Sequence, residues 1–217
     1  MRERWVSFDC FGTLIDWHGG FRAILARTGT GRVAELEAAF HRAEPAVEAE
    51  PYRSYREVTR IALERAMREL EMPASSLPAT AITDGWRTLP AFADAAPALA
   101  QLHEDDWLLA VLTNCDVDLF EETAPSLGEV IDRVITAQEV HSYKPALAHF
   151  HRFRETIGDA PWVHVAGSWF HDIVPARTVG IPRIWIDREG NGEDPAIATR
   201  VLPDLRDLAA VVRLVTR

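Results

Sequence analysis

Four short polar segments carry residue types that could do chemistry, and three of them directly follow an apolar run. Asp9 follows the run Trp5–Phe8, and Gly12 gives the chain freedom to turn sharply just beyond it. A carboxylate at this place is ionised at neutral pH and could act as a nucleophile that forms a covalent ester. An Asx turn that merely ends the strand would explain the same residues, so this segment alone leaves both interpretations open.

The other three segments offer hydrogen-bond donors, a cation and a second acid. Thr113 and Asn114 end the second apolar run, where they could hold an oxyanion or a carboxylate, or cap a helix. Lys144, followed by Pro145, could keep a neighbouring carboxylate ionised, although a lone lysine is usually solvated. Asp172 comes after another apolar run and could bind a cation, position a water molecule or cap the next helix.

The elements that must position these segments indicate a doubly wound α/β fold. Near-continuous apolar runs without alternation suit strands that are covered on both faces of a parallel sheet. The stretches between them, such as 146–157 and 173–179, are long enough for crossover helices. In such a sheet the carboxyl ends of the strands converge on one crevice. The predicted strands are Trp5–Phe8, Trp107–Leu112, Val134–Ile135, Val163–Ala166 and Arg183–Ile186.

One long stretch, from about Trp17 to Trp86, contains no strand-like run. Apolar residues recur there at helical spacing, and Pro45 and Pro51 interrupt or end the first helix. An insertion after the first strand lies above the carboxyl edge of the sheet, where ligands bind. We therefore expect two domains, a helical cap and an α/β catalytic core: residues 17–87, and residues 1–16 together with 88–217.

Composition and charge argue against several classes of function. The 217 residues carry 23 Lys and Arg against 33 Asp and Glu, and the net charge of −10 disfavours nucleic-acid binding. No apolar run approaches the roughly 20 residues that span a bilayer. The chain starts without a secretory hydrophobic region, and Cys10 and Cys115, predicted to be thiols, are too few for a cysteine-rich zinc site. We expect a cytoplasmic protein.

The expected partner is a small-molecule substrate, with neither nucleic acid nor membrane. A homodimer stays open as an alternative to a monomer. Phe40, Tyr52 and Tyr55 of the cap could form an exposed surface on which two copies pair, but core packing would explain these aromatic residues as well.

The order of the four segments resembles the haloacid dehalogenase (HAD) superfamily along the whole chain. The segment Phe8–Leu14 is similar to its first motif, with Asp9 in the place of the nucleophile. The residues that match the second, third and fourth motifs are Thr113 with Asn114, Lys144 with Pro145, and Asp172. The resemblance implies a hydrolase with a HAD-like Rossmannoid core, in which the helical insertion is the family's cap.

Within the superfamily, the chain looks most like the type II 2-haloacid dehalogenases, which have an aromatic residue two positions after the nucleophile and work without metal. Phe11 stands there, where phosphatases carry a general acid, and Gly167 replaces one of the two acids with which phosphatases bind magnesium. The strings Tyr143–Pro145 and Ile184–Arg188 are also similar to the dehalogenase branch. The chain departs from that branch at Phe11, where the branch has tyrosine, and at Gly167 and Trp169, where it has serine and asparagine.

The dehalogenase resemblance implies a role for each matched residue and no cofactor. Asp9 would attack the carbon that bears the halogen, Lys144 would keep Asp9 ionised, and Asp172 would orient the water that hydrolyses the ester. Thr13 of the first motif is placed with these catalytic residues. The residues expected to bind the substrate are Thr113 and Asn114 (its carboxylate), Arg42 (the halide), Phe11, Ser168 and His171.

Two other functions remain open. A magnesium-dependent phosphatase of a small phosphoester would use Asp9 as the nucleophile, with the Phe11 carbonyl and Asp172 on the metal. A non-catalytic binding protein on the same scaffold would account for the departures at Gly167 and Trp169. Hydrolytic dehalogenation of a small 2-haloacid is the leading hypothesis.

Overall fold

A computed structural model of the chain, which describes residues 3–190 and 192–216, has a single parallel sheet at its centre. The strands are β1 (Trp5–Phe8), β2 (Leu108–Thr113), β3 (Arg133–Thr136), β4 (Trp162–Ala166), β5 (Arg183–Ile186) and β6 (Arg200–Leu202). They run in the order β3-β2-β1-β4-β5-β6, and each neighbouring pair is parallel. The predicted α/β class and the doubly wound order are confirmed.

The helices fill the connections between the strands. In the described ranges the α-helices are α1 (Trp17–Arg27), α2 (Val33–Glu48), α3 (Tyr55–Glu69), α4 (Ala81–Asp84), α5 (Ala95–Glu104), α6 (Val117–Thr123), α7 (Ala137–Val140), α8 (Ala148–Ile157), α9 (Val174–Thr178) and α10 (Leu208–Val215). Short 3-10 turns cover Trp86–Thr88, Ala124–Leu127 and Pro195–Ile197, and a π-helical turn covers Trp169–Ile173.

Both faces of the sheet are covered, which explains why the strand sequences are apolar throughout. Successive strand residues point to opposite faces. On β2, Leu109 and Val111 join one apolar cluster, whereas Ala110 and Leu112 join a second cluster to which α8 contributes Phe153. A strand buried in this way has no polar face, so its sequence reads as one continuous apolar run.

The strand order brings the polar segments to one edge of the sheet. Strand β1 lies between β2 and β4, so the chain crosses from one half of the sheet to the other around it. Asp9 follows β1, Asn114 follows β2, and Gly167 follows β4. The carboxyl ends of these three neighbouring strands form the crevice in which doubly wound folds bind ligands.

Two details differ from the sequence prediction. Strand β6 has no counterpart among the predicted strands, because it is a largely exposed edge strand of three residues and shows no apolar run. Helix α2 continues through Pro45 to Glu48, and Pro51 lies beyond its end. Pro45 falls in the last turn of the helix, where the lost backbone hydrogen bond affects only the few residues that remain.

The helices α1 to α4 lie between β1 and β2 in the chain, as predicted, and they are fastened to the sheet by polar contacts. The buried carboxylate of Asp116, just after β2, accepts the backbone N–H groups of Tyr55 and Arg56 at 2.9 and 3.0 Å. A carboxylate at this place satisfies unpaired donors at the start of α3 and complements its dipole. The division into a cap at 17–87 and a core stays a prediction.

The expectation of an exposed aromatic surface on the cap is wrong. Phe40 and Tyr55 are buried, and Tyr52 is half-buried with its ring stacked 5.6 Å from that of Tyr143. These rings fill the space between the cap helices and the strand-end loops, because aromatic side chains supply much of the apolar area that such a junction must bury. They are therefore packing residues.

The two cysteines are buried free thiols, as predicted. Both Cys10 and Cys115 lie in the interior, just beyond β1 and β2. Burial raises the pKa of Cys115 to about 12, so it stays protonated. Among the described residues, none of the helices has the length and apolar character needed to cross a bilayer.

His149 of α8 leads to a prediction on the pH dependence of folding. Its ring is fully buried, and its Nε2 lies 3.1 Å from the carbonyl oxygen of Thr113, to which it donates. Burial, followed by the charge of Lys144, lowers the pKa of His149 to about 3. In the unfolded chain the His149 side chain binds a proton as the pH falls through about 6.5, whereas in the folded chain it stays neutral at that pH. This histidine should therefore lower the free energy of unfolding by about 2 kcal/mol between pH 7 and pH 5.

Urea denaturation of wild type and His149→Gln at pH 7 and pH 5 measures this difference. Glutamine retains a donor for the Thr113 carbonyl but does not titrate, so the variant should lose about 2 kcal/mol less than wild type on acidification. His151→Gln, an exposed change on the same helix, should keep the wild-type pH dependence. Equal pH dependence in wild type and His149→Gln would contradict the assignment.

Candidate active site

A buried lysine joins the two acids that follow β1 and β4. The ammonium nitrogen Nζ of Lys144 donates to Asp9 Oδ1 at 2.9 Å, to Asp172 Oδ1 at 2.6 Å and to the carbonyl oxygen of Leu112 at 2.8 Å. Lys144 is 1% exposed, Asp9 6% and Asp172 0%. All three ammonium protons are therefore engaged, and the cation is fixed between the two carboxylates.

The second oxygen of Asp9 is held by the loop that follows β1. The Thr13 hydroxyl donates to Asp9 Oδ2 at 2.7 Å and accepts the backbone N–H of Gly167 at 2.8 Å. Gly12 adopts a positive φ of 91°, which allows the tight turn that returns Thr13 to Asp9. Each Asp9 oxygen accepts one hydrogen bond and keeps a further lone pair that could react.

Asp172 is supported from beneath by three residues that do not stand out in the sequence. The Trp162 indole N–H donates to Ser7 Oγ at 2.6 Å, and Ser7 Oγ lies 2.7 Å from His164 Nδ1. Because the ionised Asp172 carboxylate can only accept, the neutral His164 ring has its proton on Nε2, and its Nδ1 accepts from the Ser7 hydroxyl. His164 Nε2 then carries the proton that is donated to Asp172 Oδ1 at 3.1 Å. A neutral imidazole suffices for this support.

The charges of this cluster stabilise one another. Burial raises the pKa of Asp9 above its ordinary value, while Lys144 and the Thr13 hydroxyl act in the opposite direction. Burial would also raise the pKa of Asp172, but Lys144 and His164 outweigh it and lower that pKa to about 2. Burial acts to lower the pKa of Lys144, and the two carboxylates overcome it and raise that pKa well above its usual range. The carboxylates therefore favour the charged form of the lysine.

The amino-acid composition also singles out Lys144 as a residue with a special role. Lys144 is the only lysine in the chain; the other 22 of its 23 basic residues are arginines. A chain that uses arginine everywhere else keeps its one lysine at a site 1% exposed. A compact ammonium fits between two carboxylates where a planar guanidinium would not.

Thr113 and Asn114 lie at the site, but their side chains already bind protein atoms. The amide of Asn114 accepts the Lys144 backbone N–H at 2.7 Å and donates to the Lys144 carbonyl at 3.1 Å. The Thr113 hydroxyl is buried and donates to the sulfur of Cys115 at 3.4 Å. Asn114 therefore fixes the backbone that carries the lysine, which is a different role from the predicted binding of a substrate carboxylate.

Ser168 and His171 lie beside Asp172 and line the same cavity. Ser168 Oγ accepts the backbone N–H of His171 at 3.2 Å and lies 3.0 Å from His171 Nδ1. In the tautomer in which the Ser168 hydroxyl donates to Nδ1, the neutral His171 ring carries its proton on Nε2. Burial lowers the pKa of His171, and its Nε2 has no hydrogen-bond partner among the described residues. This N–H is a donor available to a bound anion.

The cavity above Asp9 has a volume of about 670 Å³, large enough for a small substrate. Phe11 forms part of its wall, and its ring lies 4.9 Å from that of Trp86 and 6.1 Å from that of Trp17. The cap contributes histidines and carboxylates: His18, His41, Glu44 and Glu48. The sequence signal for the last three is their spacing, because positions 41, 44 and 48 share one face of α2.

Arg42 does not lie at the cavity. Its side chain is 59% exposed and pairs with Glu69, and its neighbour His41 faces the cavity instead. A one-residue shift on a helix turns a side chain by about 100°. The predicted halide-binding role of Arg42 is therefore wrong for this structure, and the sequence alone could not fix the register.

The strand-end residues fit a magnesium ion poorly. Mg²⁺ requires octahedral oxygen ligands at close range. One oxygen of Asp9 and one of Asp172 are already bonded to the Lys144 ammonium, and the other Asp9 oxygen accepts the Thr13 hydroxyl. A Cβ atom at Gly167 would lie 2.7 Å from the Gly12 carbonyl oxygen, so a second acid has no room there unless the loop moves. Asp172 Oδ2, buried and without a partner in the described ranges, suits a water molecule equally well.

The close approach at Gly167 gives a direct prediction. In Gly167→Ala, the added Cβ would push against the Gly12 carbonyl and displace Thr13, which positions Asp9. Overpacking of this kind costs about 1–3 kcal/mol of stability. We expect the midpoint of urea denaturation to fall and hydrolytic activity to drop with it.

Gly31→Ala is the matched control for that experiment. Gly31 is exposed, and a Cβ added there would have no atom within 4 Å, so the same change should leave stability and activity close to wild type. Similar effects at both glycines would show that the contact with Gly12 is unimportant.

The fold and the site together define the class of the protein: an α/β enzyme with its acidic groups at the ends of the central strands. A family model described as haloacid dehalogenase-like hydrolase matches residues 3–180, and the chain belongs to this family of hydrolases. The resemblance inferred from the four motifs is confirmed.

Two curated relatives share most of the chain. The (S)-2-haloacid dehalogenase of Pseudomonas sp. (strain YL) is 25% identical over 195 residues, which cover 86% of this chain and 83% of the relative. The (S)-2-haloacid dehalogenase 4A of Burkholderia cepacia is 24% identical over 195 residues, with coverage of 85% and 83%. At this identity, the relatives do not fix the substrate.

Solved structures agree with the fold. The L-2-haloacid dehalogenase of Xanthobacter autotrophicus with chloropropionic acid covalently bound has a TM-score of 0.81 at 23% identity, covering 97% of this chain and 98% of that one. A HAD-hydrolase of Bacillus subtilis bound to magnesium has the same TM-score at 15% identity, covering 98% and 100%. The fold therefore does not decide whether a metal takes part.

Proposed function

We propose that this hydrolase releases halide from a small 2-haloacid through an ester formed on Asp9. The observation that carries the proposal is the fixed ammonium of Lys144 between Asp9 and Asp172, beside a cavity of suitable size. A carboxylate nucleophile in a buried site needs a cation that keeps it ionised, and this arrangement supplies one without a metal.

In the first step, an Asp9 oxygen attacks the substrate carbon that bears the halogen. A carbon–oxygen bond forms as the carbon–halogen bond breaks, and the halide leaves with the bonding electrons and inversion at carbon. The negative charge moves from the carboxylate to the halide. Lys144 orients the Asp9 carboxylate. It has no proton left to donate to the substrate, because all three are already donated to protein atoms.

In the second step, water attacks the carbonyl carbon of the Asp9 ester. Asp172 has one oxygen bound by Lys144 and His164, and its other oxygen, Oδ2, is buried without a partner in the described part of the chain. We assign to Oδ2 the positioning of the water and the acceptance of its proton. As the ester bond breaks, the second proton of the water passes to the departing alkoxide, so the 2-hydroxyacid leaves and Asp9 regains its carboxylate. The proton held by Asp172 then passes to solvent.

The binding of an anionic substrate is reassigned to groups other than Thr113 and Asn114. The N–H on His171 Nε2 is one donor. Glu48 is a second, because burial and the neighbouring Glu44 raise its pKa well above the ordinary value. A carboxyl group whose pKa is raised in this way takes up a proton more readily, and in that form Glu48 can donate a hydrogen bond to the substrate carboxylate.

The names of the relatives support the choice of substrate. The two curated relatives are (S)-2-haloacid dehalogenases, and the Xanthobacter enzyme has chloropropionic acid covalently bound. The poor fit of magnesium at the strand ends supports a metal-free reaction. A phosphatase would need the metal to neutralise charge on the transferred group.

The test is a single turnover of 2-chloropropionate in ¹⁸O-labelled water with enzyme in excess. If Asp9 forms the ester, the product hydroxyl carries ordinary oxygen from Asp9, and mass spectrometry finds the label in the Asp9 peptide. Direct attack by water would place the label in the product and would contradict the covalent route. Halide release should also persist in the presence of a chelator.

The alternatives are separated by the same assays. Magnesium-stimulated cleavage of an aryl phosphate, with no halide released from several short haloacids, would replace the proposal with the phosphatase. Absence of turnover and of any adduct on Asp9 with both substrate classes would favour the binding protein.

A further inference from the structure

Three side chains on the cap form a cluster that the proposed reaction does not use. His18 lies on α1, and Glu37 and His41 lie four residues apart on one face of α2. One ring nitrogen of each histidine and one carboxylate oxygen of Glu37 lie within 4.8 Å of one another. Both histidines line the cavity that contains Asp9.

Two atoms of this cluster lack partners. The Glu37 side chain is 9% exposed, and its Oε2 accepts a hydrogen bond from Arg22 Nε at 2.6 Å. Its Oε1 has no hydrogen bond within the described residues and lies 3.6 Å from His18 Nδ1, too far for a good one. His41 Nε2 is likewise buried and unpartnered there. Buried polar atoms without partners are uncommon, and a bound cation would satisfy both.

The donor set matches a transition metal rather than magnesium or calcium. Two imidazoles and a carboxylate are typical ligands of Zn²⁺, whereas the harder cations prefer oxygen alone. Donor atoms around tetrahedral zinc lie about 3.3 Å apart, given bonds of about 2.0–2.1 Å. The 45% exposed His18 side chain can move to close the remaining distance.

The surroundings hold the other ligands in place. The His41 ring packs against Phe21 at 5.3 Å, and its Nδ1 lies 3.6 Å from Glu44 Oε2. The packing of the ring against Phe21 limits the positions that His41 can take, and the Glu44 carboxylate near its Nδ1 leaves Nε2 as the nitrogen that faces the cluster. The positive charge of Arg22 on the other Glu37 oxygen opposes a cation, so we expect weaker binding than at structural zinc sites.

We propose that His18, Glu37 and His41 bind a divalent transition metal ion, with Zn²⁺ as the best match, at the cap side of the Asp9 cavity. Three protein ligands leave a fourth position open. An ion there adds positive charge to a cavity whose cap residues include Glu44 and Glu48. The proposal does not depend on the proposed reaction.

The test measures binding of Zn²⁺ and Co²⁺ to the full chain after dialysis against a chelator. Titration calorimetry should give one equivalent of Zn²⁺, and bound Co²⁺ should show visible absorption bands. Glu37→Gln and His18→Gln should each weaken binding at least about tenfold and reduce those bands. His151→Gln, an exposed histidine on α8, should bind as wild type does, and circular dichroism checks that each variant is folded.

Two results would overturn the site. One is the absence of Zn²⁺ binding to the dialysed wild type at micromolar concentration. The other is unchanged binding in Glu37→Gln and His18→Gln together with its loss in His171→Gln, which would place the ion near Asp172. Mg²⁺ should not compete for the site. Because this test measures metal binding, it can contradict the metal site while halide release supports the proposed reaction. It can equally support the metal site when no halide is released.

Discussion

Replacing Asp9 by asparagine should abolish halide release while leaving the protein folded. The amide keeps the size of the carboxylate but is a far weaker nucleophile, so the loss should be at least about 10⁴-fold in kcat. Folding should not suffer, since Lys144 keeps Asp172 as a counter-charge at 2.6 Å. We expect the free energy of unfolding to stay within about 1 kcal/mol of wild type or to rise. Halide release and urea denaturation are the measurements.

Asp118→Asn is a suitable control for this experiment. Asp118 is 58% exposed and pairs with Arg56 on the surface, so its loss should change neither activity nor stability by much. Halide release by Asp9→Asn at more than about a hundredth of the wild-type rate would exclude Asp9 as the nucleophile. A variant that fails to fold would show instead that the carboxylate is needed for structure.

Replacing Lys144 by methionine should damage both activity and stability, and the stability loss should depend on pH. The change leaves Asp9 and Asp172 facing each other without their shared cation, which costs about 3–5 kcal/mol in a buried site. Activity should fall at least about a hundredfold, because Asp9 is then held in its protonated form.

The direction of the pH effect is set by the carboxylates. In wild type the pKa of Asp172 is about 2, so its contribution to stability is present above about pH 4 and is lost only as the pH falls towards 2. In Lys144→Met the pKa values of both acids lie above those of the unfolded chain. The variant is then more strongly destabilised at pH 8 than at pH 5, and urea denaturation at the two pH values measures this.

The control for Lys144→Met is Arg87→Met, a change of an exposed basic residue. It should alter stability by less than about 0.5 kcal/mol at either pH. If Lys144→Met were destabilised equally at pH 5 and pH 8, the two carboxylates would not be the groups that respond to the lost cation.

The sequence predicted the sheet well because the central strands are buried on both faces. Trp5–Phe8 and Arg183–Ile186 are strands with the predicted bounds, since a short continuous apolar run between turns is typical of a buried strand. The polar segments that follow β1, β2 and β4 lie close together as expected, because the carboxyl ends of parallel strands lie at the same edge of the sheet. The edge strand Arg200–Leu202 could not be found in this way, since it has neither burial nor pattern.

The cap side of the site was harder to predict. On a helix, the residue that faces the cavity depends on packing that a single sequence does not reveal, so Arg42 was expected where His41 lies. The layer beneath Asp172 was missed for another reason. Ser7 and His164 are single polar residues within apolar strands, and only the register that sets them side by side shows that they form one hydrogen-bonded chain.

A chain with one lysine has an unusual response to amine-acylating reagents. Activated esters and similar reagents find no side-chain amine on the outside of this molecule, because the single ε-amino group is buried between Asp9 and Asp172 and its pKa is raised. Acylation of Lys144 therefore requires the site to open. Peptide mapping of that one position over time would give the rate at which the site becomes accessible in the resting protein.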